Sequence, residues 1–301
     1  MRKISSIIIF VFILILFISQ AGAMQVAAGT KLWLVGWDPW FKKIYANPLP
    51  EMPTTSFKMQ GTIMAGPSVS FIFGDWGVST AFSYGRFKGE ASRSGTVGNV
   101  RYVTSGLLSV TRSDFDLALS YTLMPGLRIF GGLKTQVYQI DAREVITQST
   151  NNTIFDLRTQ NMNVTSPFNG PGLGAGYTYH FGNFFIGASL AYVFLKGDYK
   201  IGSYINQTEG AVLGLSQTPS DYVIKVESVG VTFEPLFGFR AGERAVLILG
   251  IRGQTLKSTM KSLKEENDYA LPMQGENGER IYESQEQDLF GGVSLSLSMI
   301  F

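Results

Sequence analysis

A chain of 301 residues without Cys carries no disulfide framework, no thiolate chemistry, no Cys-based metal site and no lipid-modified N-terminal Cys. Removing Arg2 and Lys3 with an N-terminal leader leaves 23 of the 25 basic residues against 23 acidic ones, a balance that argues against nucleic acid as a partner. The 34 glycines and 13% aromatics, with few helix-type heptads, form a strand-and-turn composition shared by soluble sandwiches and membrane barrels, so the alternation of apolar and polar residues must decide between them.

The leader comes first. Arg2 and Lys3 precede an apolar run from Ile7 to Ile18, and Ala21, Gly22 and Ala23 supply the small-residue spacing that a signal peptidase accepts. Residues 1–23 therefore read as a cleaved signal peptide and 24–301 as one domain, with no later apolar stretch long enough for a membrane helix.

The first well-patterned segment runs from Phe57 to Phe73. Phe57, Met59, Ile63, Ala65, Val69, Phe71 and Phe73 alternate with Lys58, Gln60, Thr62, Ser68 and Ser70, which predicts one long strand with an apolar and a polar face. Ten such strands are expected, over 28–37, 57–73, 77–87, 103–123, 127–142, 170–181, 184–197, 222–240, 245–256 and 284–301, with eight or twelve as alternative counts. Tight turns at Gly74 to Gly77, Met124 to Gly126, Phe181 to Asn183 and Ala241 to Arg244 alternate with long polar loops near 38–55, 88–101, 143–168, 198–221 and 257–283. The first of these loops includes a proline-rich stretch from Asn47 to Pro53. Short turns on one side and long loops on the other are the asymmetry of an all-β, transmembrane, antiparallel up-and-down barrel, with the turns and both termini periplasmic.

The last strand is the most specific signal. Val293, Leu295, Leu297, Met299 and Phe301 make an apolar face, while Gly292, Ser294, Ser296 and Ser298 make a small polar one. In this strand, in the leader and in its whole-chain rhythm the sequence resembles bacterial outer-membrane β-barrel proteins of the small porin-like, OmpW-like and opacity-like kinds. The resemblance implies residence in the Gram-negative outer membrane, contact with its lipid and lipopolysaccharide, and recognition of the final strand by the barrel-assembly machinery.

Pairing about the Met124 to Gly126 turn sets Leu123 against Leu127, Asp116 against Lys134 and Asp114 against Gln136. Pairing about the Ala241 to Arg244 turn sets Glu234 against Arg252. These residues fall on the inward face, where they predict a lumen charge layer of Asp114, Asp116, Lys134, Glu234 and Arg252 at one level. Opposite them Gly66, Ser68, Ser83, Gly174, Ser189 and Ala191 predict a lopsided lumen, charged on one side and small on the other. Such charges either fill and neutralise a narrow barrel or line a constriction for a small solute.

The only histidine, His180, lies near a periplasmic turn, so no Ser-His-Asp triad or His-rich metal site is expected at the outer face. No catalytic residue, metal or cofactor is assigned. Trp33, Trp37, Trp40, Phe41, Trp76, Tyr84, Tyr121 and Tyr192 read as interfacial girdles. The expected protein is a monomeric, non-enzymatic barrel acting as a structural element or narrow pore. A surface adhesin working through its long loops is the alternative, and an outer-membrane enzyme a more distant one.

Overall fold

The computed structural model describes residues 24–42, 54–97, 99–150, 153–207, 220–265 and 285–301. The expected leader and the Asn47 to Pro53 stretch lie outside them. The described strands are β1 (Gln25–Asp38), β2 (Thr54–Met59), β3 (Thr62–Phe73), β4 (Trp76–Val97), β5 (Val100–Met124), β6 (Leu127–Thr150), β7 (Thr153–Phe181), β8 (Phe184–Gln207), β9 (Ser220–Ala241), β10 (Ala245–Glu265) and β11 (Gln285–Ile300). Each pairs antiparallel with its neighbours, β1 closes on β11, and β4 pairs with both β3 and β5. The result is a closed barrel of ten staves, with β2 as an extra short strand prolonging the line of β3 along β4.

Among the described residues the ten-stave ring leaves no edge of unpaired backbone, the condition for a sheet to sit in lipid, and only β2, beyond Thr62 at the long-loop end, pairs on one side. At the short-turn end the chain reverses in two or three residues, and each of the four turns holds a glycine at positive φ, such as Gly126 at 83° and Gly182 at 64°. A side chain there would be strained, so these glycines fix where the staves reverse.

On the membrane part of the barrel the outward residues are apolar and exposed. Phe184, Ile186, Leu190 and Tyr192 line β8, and Leu247, Leu249 and Ile251 line β10. Val293, Leu295, Leu297, Met299 and Phe301 continue this face along β11, with Ser294 and Ser296 turned inward and buried. Such a belt needs a height of about 25 Å. Leu190, 56% exposed, lies within it, so Leu190→Arg is expected to lower the unfolding free energy in lipid vesicles by about 2–4 kcal/mol. Lys200→Leu, higher on β8 beyond the belt, is expected to change it by less than about 0.5 kcal/mol, and equal effects of the two would show the belt to be misplaced.

Above the belt the pattern inverts without any change of register. On β6 the outward residues become Gln139, Asp141 and Arg143, exposed, while Tyr138, Ile140 and Ala142 point inward and are buried. β4, β7, β8 and β10 make the same exchange, with Phe87, Phe168, Leu195 and Leu256 buried inside. The outer half is therefore built as a water-soluble barrel around an apolar core, standing on a membrane barrel with a polar interior. This inversion is why β4, β6, β7, β8 and β10 run well past the outer limits of the sequence-based strands: polar residues facing water read as loop.

The stretch from 57 to 73 departs from its predicted single face. Met59 pairs with Gly89 but Ala65 pairs with Tyr84, a shift of one residue across the break at Gln60 and Gly61. A one-residue slip exchanges the faces of a strand. Phe57 and Met59 accordingly pack inward against the core, while Ile63 faces out.

Candidate functional site

The lumen has three levels. At the short-turn level the expected small residues Gly66, Ser68, Ser83, Gly174, Ser189 and Ala191 lie on the inward face, and a cavity of about 350 Å³ there has Ser189 and Ala191, with Ser79, Ala118 and Phe130, in its wall. The cavity runs from Ser120 and the exposed Arg128, near the turn between β5 and β6, up to Asp116, Lys134, Glu234 and Arg252.

Those four residues begin the second level, a charged belt. Asp116 pairs with Lys134 and Asp114 with Gln136 across β5 and β6. Lys134 Nζ donates to Asp116 Oδ1 at 2.8 Å and lies 3.7 Å from Asp114 Oδ2. One expectation needs correction. The turn closes on Met124 and Leu127, with a register shift after Thr122, so Leu123 bulges instead of opposing Leu127. Glu234 does sit opposite Arg252 in the register, between the pairs Gly250 with Leu236 and Gly253 with Phe233. Its ion partner, however, is Lys31 on β1.

Arg252 instead reaches Asp116 Oδ2 at 3.6 Å. β10 and β5 are five staves apart either way around the ring, so this contact crosses the full width of the lumen. A lopsided lumen is therefore not what forms: long side chains from one wall reach the other. Arg112 does the same from β5, donating to Gln254 on β10 at 3.2 Å, and Gln136 donates to the same carboxamide at 3.2 Å.

Arg112 is the centre of the belt. It is 0% exposed, and its Nε and Nη2 donate to the two oxygens of Asp114 at 2.9 and 3.0 Å. Its guanidinium lies 3.8 Å from the Phe290 ring and 5.2 Å from the Trp37 ring, the partners a weakly hydrated planar cation prefers. Trp37 in turn donates its indole hydrogen to Asp288 at 2.6 Å, and Tyr138 donates its hydroxyl to Gln136 at 2.8 Å. Arg112, Lys31, Gln254 and Asp288 were not singled out in the sequence. Arg112 shares the inward face with Asp114 and Asp116, and continuing that alternation two residues outward would have found it.

The third level is an aromatic plug. After Asp38 the chain turns into the lumen, with Lys42 N donating to Pro39 O at 3.1 Å and Lys42 Nζ bound to Asp38 at 2.6 Å. This seats Trp40 and Phe41 at the centre of the outer barrel, 1% and 0% exposed. Trp40 meets Tyr199 at 5.1 Å and Phe168 at 6.1 Å edge to face, and Phe41 meets Trp37 at 5.3 Å. Phe87 and Tyr138 complete the ring around them. The girdle assignment of Trp33, Trp37, Trp40 and Phe41 is thus overturned, because all four are buried inside the barrel. Trp76, Tyr84 and Tyr192 are exposed on the outer face, and Tyr121 packs on Trp76 at 4.8 Å. His180 faces the short-turn mouth beside Phe185, remote from the outer rim.

No protein-family model matches the chain, and no curated protein matches it. Among solved structures it is similar to the outer membrane protease OmpT from Escherichia coli, with a TM-score of 0.59 and 12% identity over 94% of this chain and 100% of that one. It also aligns with the outer membrane protein OprG from Pseudomonas aeruginosa, with a TM-score of 0.31 and 10% identity over 93% and 96% of the two chains. The first likeness, together with the closed ten-stave ring and the apolar belt, makes this chain a barrel of the bacterial outer-membrane type.

Proposed function

We propose that this outer-membrane barrel is a closed, non-catalytic anchor whose work is done at its outer end, where the extended staves and the loops between them meet a partner outside the cell. One observation carries this reading. The outer half of the lumen is filled by Trp37, Trp40, Phe41, Phe87, Tyr138, Phe168 and Tyr199, each nearly or wholly buried, and the Arg112 and Arg252 contacts cross the lumen beneath them. Close-packed aromatic rings leave no hydrated path, which weighs against the narrow small-solute pore. A surface-binding barrel needs the opposite: a rigid stem that lifts its rim clear of the lipid, as the water-soluble outer half does.

In this reading lipid and lipopolysaccharide surround the belt, the assembly machinery reads the outward face of β11, and the barrel acts as a monomer. The protease activity named for OmpT is not carried over, since likeness at 12% identity is likeness of fold. The test is single-channel recording from the refolded barrel in a planar bilayer, after heat-modifiable migration on a gel has shown that it is folded. Silence is expected at every voltage at which a control porin conducts. Reproducible steps that vanish in Lys134→Ala would overturn the closed anchor and restore the pore.

A further inference from the structure

The cavity below the charged belt is a blind chamber at the short-turn end, and conduction through the barrel has no bearing on whether it holds a ligand. We infer that it is a binding site for a small organic anion, a carboxylate on a short apolar tail, admitted from the periplasmic side.

Three observations point to this ligand. The first is charge. Among the cavity residues Arg128, Lys134 and Arg252 face only two acids, Asp116 and Glu234. Lys134 holds Asp116 at 2.8 Å and Lys31 holds Glu234, so both acids already have a cation. Arg252 stands opposite Glu234 in the ladder and 3.6 Å from Asp116, longer than a charge-assisted hydrogen bond, so it shares both acids with the two lysines and the cations outnumber them.

The second is a pair of idle polar groups. Arg252 Nε is buried and has no hydrogen-bond partner among the described residues, and the hydroxyl of Thr232, a residue 8% exposed, has none either. Both residues line the cavity, on neighbouring staves β10 and β9. A buried polar group without a partner is costly, and a carboxylate is the acceptor that each of the two lacks.

The third is the wall. Phe130, Ala118, Ala191 and Val193 supply apolar surface, while Ser120 and Ser189 offer hydroxyls. A cavity of about 350 Å³ lies at the small end of the range for ligand pockets. A short acyl chain fits this volume with its carboxylate at the belt, and a bare inorganic anion leaves the apolar wall unused.

Trp33 makes the site observable, because the Arg252 guanidinium lies 4.7 Å from its ring. The experiment is a tryptophan fluorescence titration of the full barrel in zwitterionic nanodiscs, with hexanoate as probe and hexanol, hexylammonium and inorganic phosphate as comparisons. Hexanoate is expected to saturate, and the other three are not. Arg252→Gln should weaken hexanoate at least about tenfold, the loss of one charge-assisted hydrogen bond. Thr232→Val, nearly isosteric and therefore safe for folding, should weaken it about threefold or more.

The absence of Cys offers a second readout. In Ser189→Cys the single thiol faces the cavity, and hexanoate should slow its reaction with a small maleimide where hexanol does not. Failure of hexanoate to saturate or protect would reduce the cavity to a water site and overturn the inference. So would saturation by hexanol or phosphate equal to that by hexanoate, or hexanoate binding unchanged in both Arg252→Gln and Thr232→Val.

Discussion

Arg112→Met is expected to lower the unfolding free energy by about 3–5 kcal/mol, the cost of removing one partner from a buried ion pair. The size follows from what is left behind. Asp114 is buried and loses a bidentate partner at 2.9 and 3.0 Å. Its remaining cation, Lys134, is 3.7 Å away and engaged more closely with Asp116. Gln254 loses a donor in the same step. Adding Asp114→Leu to Arg112→Met should bring stability back toward the parent, because exchanging both members of a buried pair for apolar groups is often neutral or favourable. Urea unfolding of all three variants in lipid vesicles, followed by tryptophan emission, completes the cycle. A loss below about 1 kcal/mol in Arg112→Met would mean that water or lipid headgroups reach Asp114 and that the belt is not a dry seal.

The membrane half of this architecture was legible because lipid imposes a strict rule on it. On β11 every second residue from Val293 to Phe301 is apolar, and only one register keeps all of them in lipid. The four tight turns announce themselves through Gly, Asn and Pro, and hairpin symmetry then pairs Asp116 with Lys134. Contacts made outside a hairpin were not legible in the same way. Arg252 opposes Glu234 in the ladder yet contacts Asp116 across the lumen, and that choice depends on barrel diameter and side-chain reach, which adjacent strands do not encode. Tyr138, Ile140 and Ala142 were hidden by the inversion of the alternation above the belt. Trp40 and Phe41 were hidden because aromatics beyond a strand end fit a girdle as well as a plug. Only the inward course of the chain after Asp38 separates the two.

That inward course sets the last expectation. Trp40→Ala and Phe41→Ala are each expected to cost about 3–5 kcal/mol, the usual penalty for emptying a buried aromatic site. The double variant should lose more than either single but less than their sum, because the two rings touch at 6.0 Å and share Tyr199 as a neighbour. Trp37, which packs on Phe41 and on Phe87, gains a hydrated neighbour in the double variant, so its emission should shift to the red. Conductance should nevertheless stay absent. The plug and the belt lie in series along the lumen, and emptying the plug leaves the Arg112 to Gln254 and Arg252 to Asp116 contacts in place across its width. Channel steps in the double variant would assign the seal to Trp40 and Phe41 alone. Silence with a red-shifted Trp37 would show two independent closures, the arrangement of a barrel kept shut by its fold instead of by a movable gate.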